Sequence, residues 1–159
     1  MVYEFIKEPQ LDQCYELISY ACRQSDAVMM VFSHKKSNKL QAAQMRRIRK
    51  ELSPWRIKTR HDSQWPMTES DDKSQVFAID LYKPCEAIEK FLKQTDRLFG
   101  WGDNQPYDIA FFREHNCWLA TCSHEKFGWI ISEKKLPPYL SGCVAIIENP
   151  NNVYYYEDY

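Results

Sequence analysis

The run Ala27-Val28-Met29-Met30-Val31-Phe32 places six apolar residues in succession behind Asp26. A strand sends alternate side chains to opposite faces, so a segment that is apolar at every position needs cover on both sides of its sheet. The run therefore predicts a central, buried strand over 28–32, and the neighbouring segments must supply the cover. Leu11, Cys14, Tyr15, Leu17, Ile18, Ala21 and Cys22 recur at helical spacing after a start at Pro9 and Asp12. Ala42, Met45, Ile48 and Leu52 form the inner stripe of a second helix, capped by Ser37 or Asn38 and ended by Ser53-Pro54. Pro84 and Glu86 open a third, with Ile88, Phe91, Leu92, Thr95, Leu98 and Phe99 along one side and Gly100 at its close.

Between the helices lie further strand patterns. Trp55-Arg56-Ile57-Lys58-Thr59-Arg60 alternates strictly, which predicts Trp55, Ile57 and Thr59 toward the core and a row of Arg56, Lys58 and Arg60 on the other face. Residues 61–73 are polar, contain Pro66 and read as a long loop. Val76 to Tyr82 reads as a strand with Phe77, Ile79 and Leu81 inward. Tyr107 to Phe112 and Cys117 to Cys122 flank the polar turn Arg113-Glu114-His115-Asn116, the pattern of a hairpin, and Phe127 to Ile131 adds a third strand. Pro137-Pro138 breaks the chain before a last apolar segment, Cys143 to Ile147, and residues 150–159 read as a mobile acidic aromatic tail. This order predicts one α+β domain spanning 1–159, with a mainly antiparallel sheet and helices packed on one face. A length of 159 residues suffices to bury such a core.

Charge is distributed very unevenly. Residues 35–60 carry ten Lys or Arg against the single acid Glu51, a net of +9, while residues 1–34 carry −3 and residues 61–159 carry −7. A division of this kind bears on partners rather than on fold. Arg46, Arg47, Arg49 and Lys50 project away from the apolar stripe of the second helix, and with Arg56, Lys58 and Arg60 they are the candidate partner-binding residues. An overall pI near 6.4 is low for a nucleic-acid binder, and the basic stretch has no interleaved aromatic apart from Trp55. An acidic protein partner is therefore the first expectation, with nucleic acid as the alternative.

Catalytic and metal motifs are sparse. The spacing His115-x-Cys117-x4-Cys122-x-His124 looks like a mirrored metal site, but on a regular strand Cys117 and Cys122 point to opposite faces. Cys122 and His124 share a face at roughly 6.5–7 Å, beyond hydrogen-bond reach, so a Cys–His nucleophile would need a second histidine. Four glycines provide no phosphate loop or dinucleotide fingerprint, and Gly128 stands where a zinc-protease helix would need its second histidine. No catalytic residue, metal or cofactor is expected, and a hydrolase using Cys122 or His124 ranks third among the functions. Six cysteines in a chain of this length read as buried free thiols. The mixed, acidic start and the lack of a long apolar run predict a cytoplasmic location without membrane contact. The oligomeric state stays open.

Trp65-Pro66-x-Thr68 after a basic strand, then Asp108-x-Ala110-Phe111-Phe112 leading to Trp118-Leu119-x-Thr121-x-Ser123-His124-Glu125, resembles small uncharacterised bacterial proteins. These are similar in layout to immunity proteins of toxin systems. The resemblance covers about residues 55–125 and carries over no catalytic residue. It implies a small bacterial protein that binds or neutralises a partner such as a toxin. Such a protein works by shape and charge complementarity and needs no catalytic motif.

Overall fold

The computed structural model describes residues 1–32, 39–69, 71–99 and 106–147. The expected helix caps at Ser37 or Asn38, the stop at Gly100 and the 150–159 tail lie outside these residues. Among these residues there are ten strands and three α-helices. They are β1 (Val2–Phe5), α1 (Asp12–Gln24), β2 (Ala27–Phe32), α2 (Lys39–Glu51), β3 (Arg56–Asp62), β4 (Gln64–Trp65), β5 (Thr68–Glu69) and β6 (Phe77–Tyr82), then α3 (Glu86–Leu92), β7 (Ile109–Arg113), β8 (Asn116–Cys122), β9 (Phe127–Ile131) and β10 (Val144–Ile146). Eight strands form one sheet in the order β10-β1-β9-β8-β7-β2-β6-β3, with antiparallel pairing between all neighbours. β4 and β5 make a separate small hairpin. The fold is α+β, as the element order predicts.

β2 is interior and buried at all six positions. Val28, Met30 and Phe32 enter the core under the helices, while Ala27, Met29 and Val31 enter a second core on the opposite face. α1, α2 and α3 all bury their apolar stripes on the first face, through residues such as Leu17, Ile18, Met45, Ile48, Ile88 and Leu92. Burial of each large aliphatic side chain contributes about 1.5–3 kcal/mol, so this layer supplies much of the stability. The second face is covered by Trp65, carried on the β4–β5 hairpin and only 3% exposed. The 61–73 segment is thus not a plain loop: β3 runs on to Asp62, and a buried indole follows three residues later.

Three other expectations change. A strand that the sequence patterns do not mark precedes α1: β1 lies between β9 and β10, where Tyr3 and Phe5 meet the core. α3 stops at Leu92, yet Leu98 and Phe99 are still buried, delivered by irregular backbone that Gln10 pins through a bridge to Arg97. The alternation over 55–60 also fails. Trp55 and Ile57 are 36% and 50% exposed, and the β3–β6 register shifts between Arg56 and Lys58. Arg56 pairs across from Tyr82 and Thr59 from Asp80, on the helix side; Lys58 and Arg60 oppose Leu81 and Ile79, on the other. The bulge at Ile57 thereby divides the predicted basic row between two faces.

Candidate functional site

Among the described residues two buried carboxylates, Asp80 and Asp108, gather polar side chains, one on each face of the sheet. On the helix face Asp80, fully buried, projects from the middle of β6. Arg49 of α2 donates to both its oxygens at 2.6 and 2.8 Å. Thr59 donates at 2.6 Å and the Tyr82 hydroxyl at 2.9 Å, while the Arg56 guanidinium lies 3.7 Å away. Burial alone would raise the Asp80 pKa, but the hydrogen bonds from Arg49, Thr59 and Tyr82 and the Arg49 charge outweigh it and hold the carboxyl below its ordinary value. The network clamps α2 and the edge strand β3 onto β6.

The seven predicted partner-binding residues are sorted by this arrangement. Arg49 is turned inward to Asp80, and Arg56, itself at the surface, leans its guanidinium to within 3.7 Å of the same carboxylate. Arg60 pairs with Asp62 at 2.7 Å and reaches the Gln64 carbonyl at 3.3 Å, so it fastens the turn that delivers Trp65. Arg47 pairs with Glu51 at the surface. Arg46, Lys50 and Lys58 are exposed and make no side-chain ion pair or hydrogen bond among the described residues. The +9 stretch is therefore partly internal scaffolding, with a smaller exposed cationic set on α2 and β3, and β3 is the last strand of the sheet among the described residues.

The second region begins at the β7–β8 hairpin. Glu114 and His115 occupy the left-handed φ region that a tight two-residue connection needs. Regular pairing from that turn would set Asp108 opposite Thr121. Instead the register shifts between Phe111 and Phe112, leaving Trp118 as the extra residue, and the Ala110–Ala120 pair that follows sets Cys122 opposite Asp108. The same bulge puts Cys117 and Ala120 in one core, so Cys117 and Cys122 do not point to opposite faces as regular alternation predicts. What separates them is length: five residues of strand span about 16 Å. His115 stays at the far end, with the hairpin turn.

Directly after Cys122 the chain folds over itself. The Glu125 amide donates to the Cys122 carbonyl and the Lys126 amide to that of Ser123, both at 3.2 Å. This turn ends the strand and swings His124 back, so that Nδ1 lies 3.5 Å from Cys122 Sγ rather than a strand repeat away. Asp108, Cys122 and His124 bring one carboxylate oxygen, one sulfur and one ring nitrogen within 4.8 Å of one another. Cys122 and His124 border a cavity of about 300 Å³ whose wall also includes Trp65, Thr68, Asp71, Gln75, Tyr107 and Glu125; Asp108 lies behind them, bonded to the Trp65 indole. Sequence reasoning found Cys122 and His124 but missed Asp108; its signal, an acid leading a strand that is apolar at the next four positions, was present at 108–112.

Each member of the cluster is held by a neighbour. Trp65 Nε1 donates to Asp108 Oδ2 at 2.8 Å and the Ser123 amide to Oδ1 at 2.7 Å. The Thr68 hydroxyl lies 3.6 Å from Cys122 Sγ. Tyr107 stacks on the His124 ring at 5.6 Å, and Glu125 Oε1 lies 3.7 Å from His124 Nε2. Burial pushes the Asp108 carboxyl up to about 6; the two donors and the nearby histidine only partly oppose it. Burial also raises the Cys122 thiol, with Asp108 and Glu125 adding to the shift against the Thr68 hydrogen bond. A thiol so placed remains protonated near neutrality and is a poor nucleophile, which counts against a cysteine hydrolase despite the Cys–His contact.

No helix among the described residues is long and apolar enough to cross a membrane. No family model, curated protein or solved structure matches the chain.

Proposed function

We propose that this chain is a bacterial, cytoplasmic protein-binding module that docks an acidic partner against its basic sheet edge, in the manner of an immunity or antitoxin-type inhibitor. The observation that carries this reading is the state of β3. It is an edge strand with exposed Ile57, preceded directly by exposed Trp55 and tied to α2 through the Asp80 network; Lys58 on β3 and Arg46 and Lys50 on α2 are exposed without side-chain partners among the described residues. Exposed apolar side chains with exposed cations on the same strand and on the helix tied to it suit a protein surface of opposite charge. The nucleic-acid alternative is weaker than the sequence implies, because Arg49, Arg56 and Arg60 are committed to Asp80, Asp62 and Gln64 and do not add to a phosphate-binding row.

The test is the variant Arg46→Glu/Lys50→Glu/Lys58→Glu in a pull-down from the native host, with thermal melting as the folding control. Recovery of an acidic partner should fall, most visibly at low salt, because charge reversal slows encounter. Full recovery at unchanged stability leaves a merely solvated edge, whose lysine keeps other strands from pairing with it. Loss of single- or double-stranded DNA binding with the protein partner retained favours the nucleic-acid alternative.

A further inference from the structure

We propose that Asp108, Cys122 and His124 form a three-ligand site for a zinc-type divalent metal ion, with the fourth coordination position facing the adjoining cavity. The geometry comes first. Zinc bonds thiolate sulfur at about 2.3 Å and imidazole nitrogen at about 2.0–2.1 Å, so at a tetrahedral angle the two donors stand about 3.6 Å apart. Cys122 Sγ and His124 Nδ1 stand 3.5 Å apart, and the carboxylate oxygen of Asp108 closes a group no wider than 4.8 Å.

The surrounding contacts are those that orient metal ligands. A metal-bound imidazole is held through its other nitrogen, commonly by a carboxylate; with Nδ1 turned to the site, His124 Nε2 is turned to Glu125. Ligating carboxylates are themselves hydrogen-bonded, and Asp108 receives one donor on each oxygen, which leaves lone pairs for an ion. Thr68 stands beside the sulfur in position to donate to a thiolate. Three donors, one just before β7, one at the end of β8 and one in the turn that follows, each with its own supporting partner, exceed what a chance thiol–imidazole contact requires.

Charge and ligand type agree. The cavity wall contains Asp71 and Glu125 and no Lys or Arg among the described residues, and the groups bonded to Asp108 and Cys122 are Trp65, Ser123, Thr68 and His124, with no Lys or Arg among them. A divalent ion would supply that positive charge. The set of one sulfur, one nitrogen and one oxygen favours zinc, or cobalt as its spectroscopic substitute, over magnesium and calcium, which seek all-oxygen shells. Closed structural zinc sites use four protein ligands, whereas three ligands with a free position leave room for water. This inference is independent of the partner-binding reading: it concerns different residues, and its test reads metal rather than protein.

The experiment titrates Co2+ and Zn2+ into the full chain after chelator treatment under reducing conditions. One equivalent of Co2+ should give a thiolate charge-transfer band in the near ultraviolet and tetrahedral bands in the visible, both displaced by Zn2+. Cys122→Ser should abolish the charge-transfer band, and Cys117→Ser should leave it intact. His124→Ala should weaken binding more than about 100-fold, and Glu125→Gln by about 10- to 100-fold, the range for supporting residues. His124 and Glu125 side chains are 44% and 66% exposed, so both variants should fold even if a change at Asp108 does not. Absence of stoichiometric cobalt binding in the wild-type chain, or a band that survives Cys122→Ser, overturns the proposal.

Discussion

Asp80 and Asp108 are both buried carboxylates, at 0% and 1% exposure, yet they sit in opposite electrostatic settings. Asp80 is surrounded by Arg49, Arg56, Thr59 and Tyr82, and its pKa is lowered. Asp108 has two neutral N–H donors and a partly exposed histidine, and its pKa is raised to about 6. Burial pushes both carboxyls the same way; what differs is whether the fold brings a permanent cation. Asp80 belongs to the scaffold, because its counter-charges come from the helix and strand it joins. Asp108 has no Lys or Arg among its hydrogen-bond partners, so its charge is compensated by a proton or by a bound cation.

The largest expected effect tests the scaffold half of this contrast. Asp80→Ala strands the Arg49 guanidinium, whose side chain is only 19% exposed, and removes the acceptor for Thr59 and Tyr82. Breaking a buried pair from one side costs about 3–5 kcal/mol, so urea unfolding should show a loss of that order. Asp108→Ala in metal-free protein should lose no more than about 2 kcal/mol, because two orphaned donors are offset by removal of a buried anion. Equal losses would break the comparison.

The pH dependence sharpens it. Asp80 has a folded pKa below its unfolded value, so its contribution is present above about pH 4 and is lost as pH falls through the lower folded value. Asp108 has the opposite sign. Its folded form holds the proton more tightly, so metal-free protein should gain stability as pH falls from about 6 toward about 4, by on the order of 2–3 kcal/mol. Unfolding free energies measured between pH 3 and 7 should rise and then fall on acidification. Asp108→Ala should remove the rise and keep the fall. A wild-type profile that is flat between pH 4 and 6 would mean that Asp108 is not without compensating charge.

How much of this could be read from the sequence differs between the two sites. The buried β2, the three helical stripes and the β7–β8 hairpin follow from residue spacing alone, because each is a local pattern that the sheet accommodates. The sites do not follow, because both depend on bulges. Strict alternation at 55–60 conceals the shift at Ile57 that turns Arg56 toward Asp80, and strict pairing at 107–122 conceals the extra residue, Trp118, that exchanges Thr121 for Cys122 opposite Asp108. A strand repeat likewise overstates the Cys122–His124 distance, since the chain leaves the strand between them. Period-two reasoning keeps the strands and loses their irregularities, and here the irregularities build the chemistry.

The smallest expected effect separates the two halves of the basic segment. Arg46, Lys50 and Lys58 are exposed and without side-chain partners among the described residues, whereas Arg49, Arg56 and Arg60 are tied to Asp80, Asp62 and Gln64. Exposed charges typically contribute about 0–1 kcal/mol each. Arg46→Glu/Lys50→Glu/Lys58→Glu should therefore shift the unfolding free energy by no more than about 1 kcal/mol, its added acids being partly relieved by the arginines that remain. Arg56→Glu/Lys58→Glu/Arg60→Glu changes the same number of charges but sets a carboxylate against buried Asp80 and releases the turn before Trp65. It should unfold at clearly lower temperature, and the gap between the two melting curves measures how much of the +9 segment serves the fold. Superimposable curves would mean that Arg56 and Arg60 contribute no more than surface charges. The Asp80 cluster would then lose its place as the structural member of the pair.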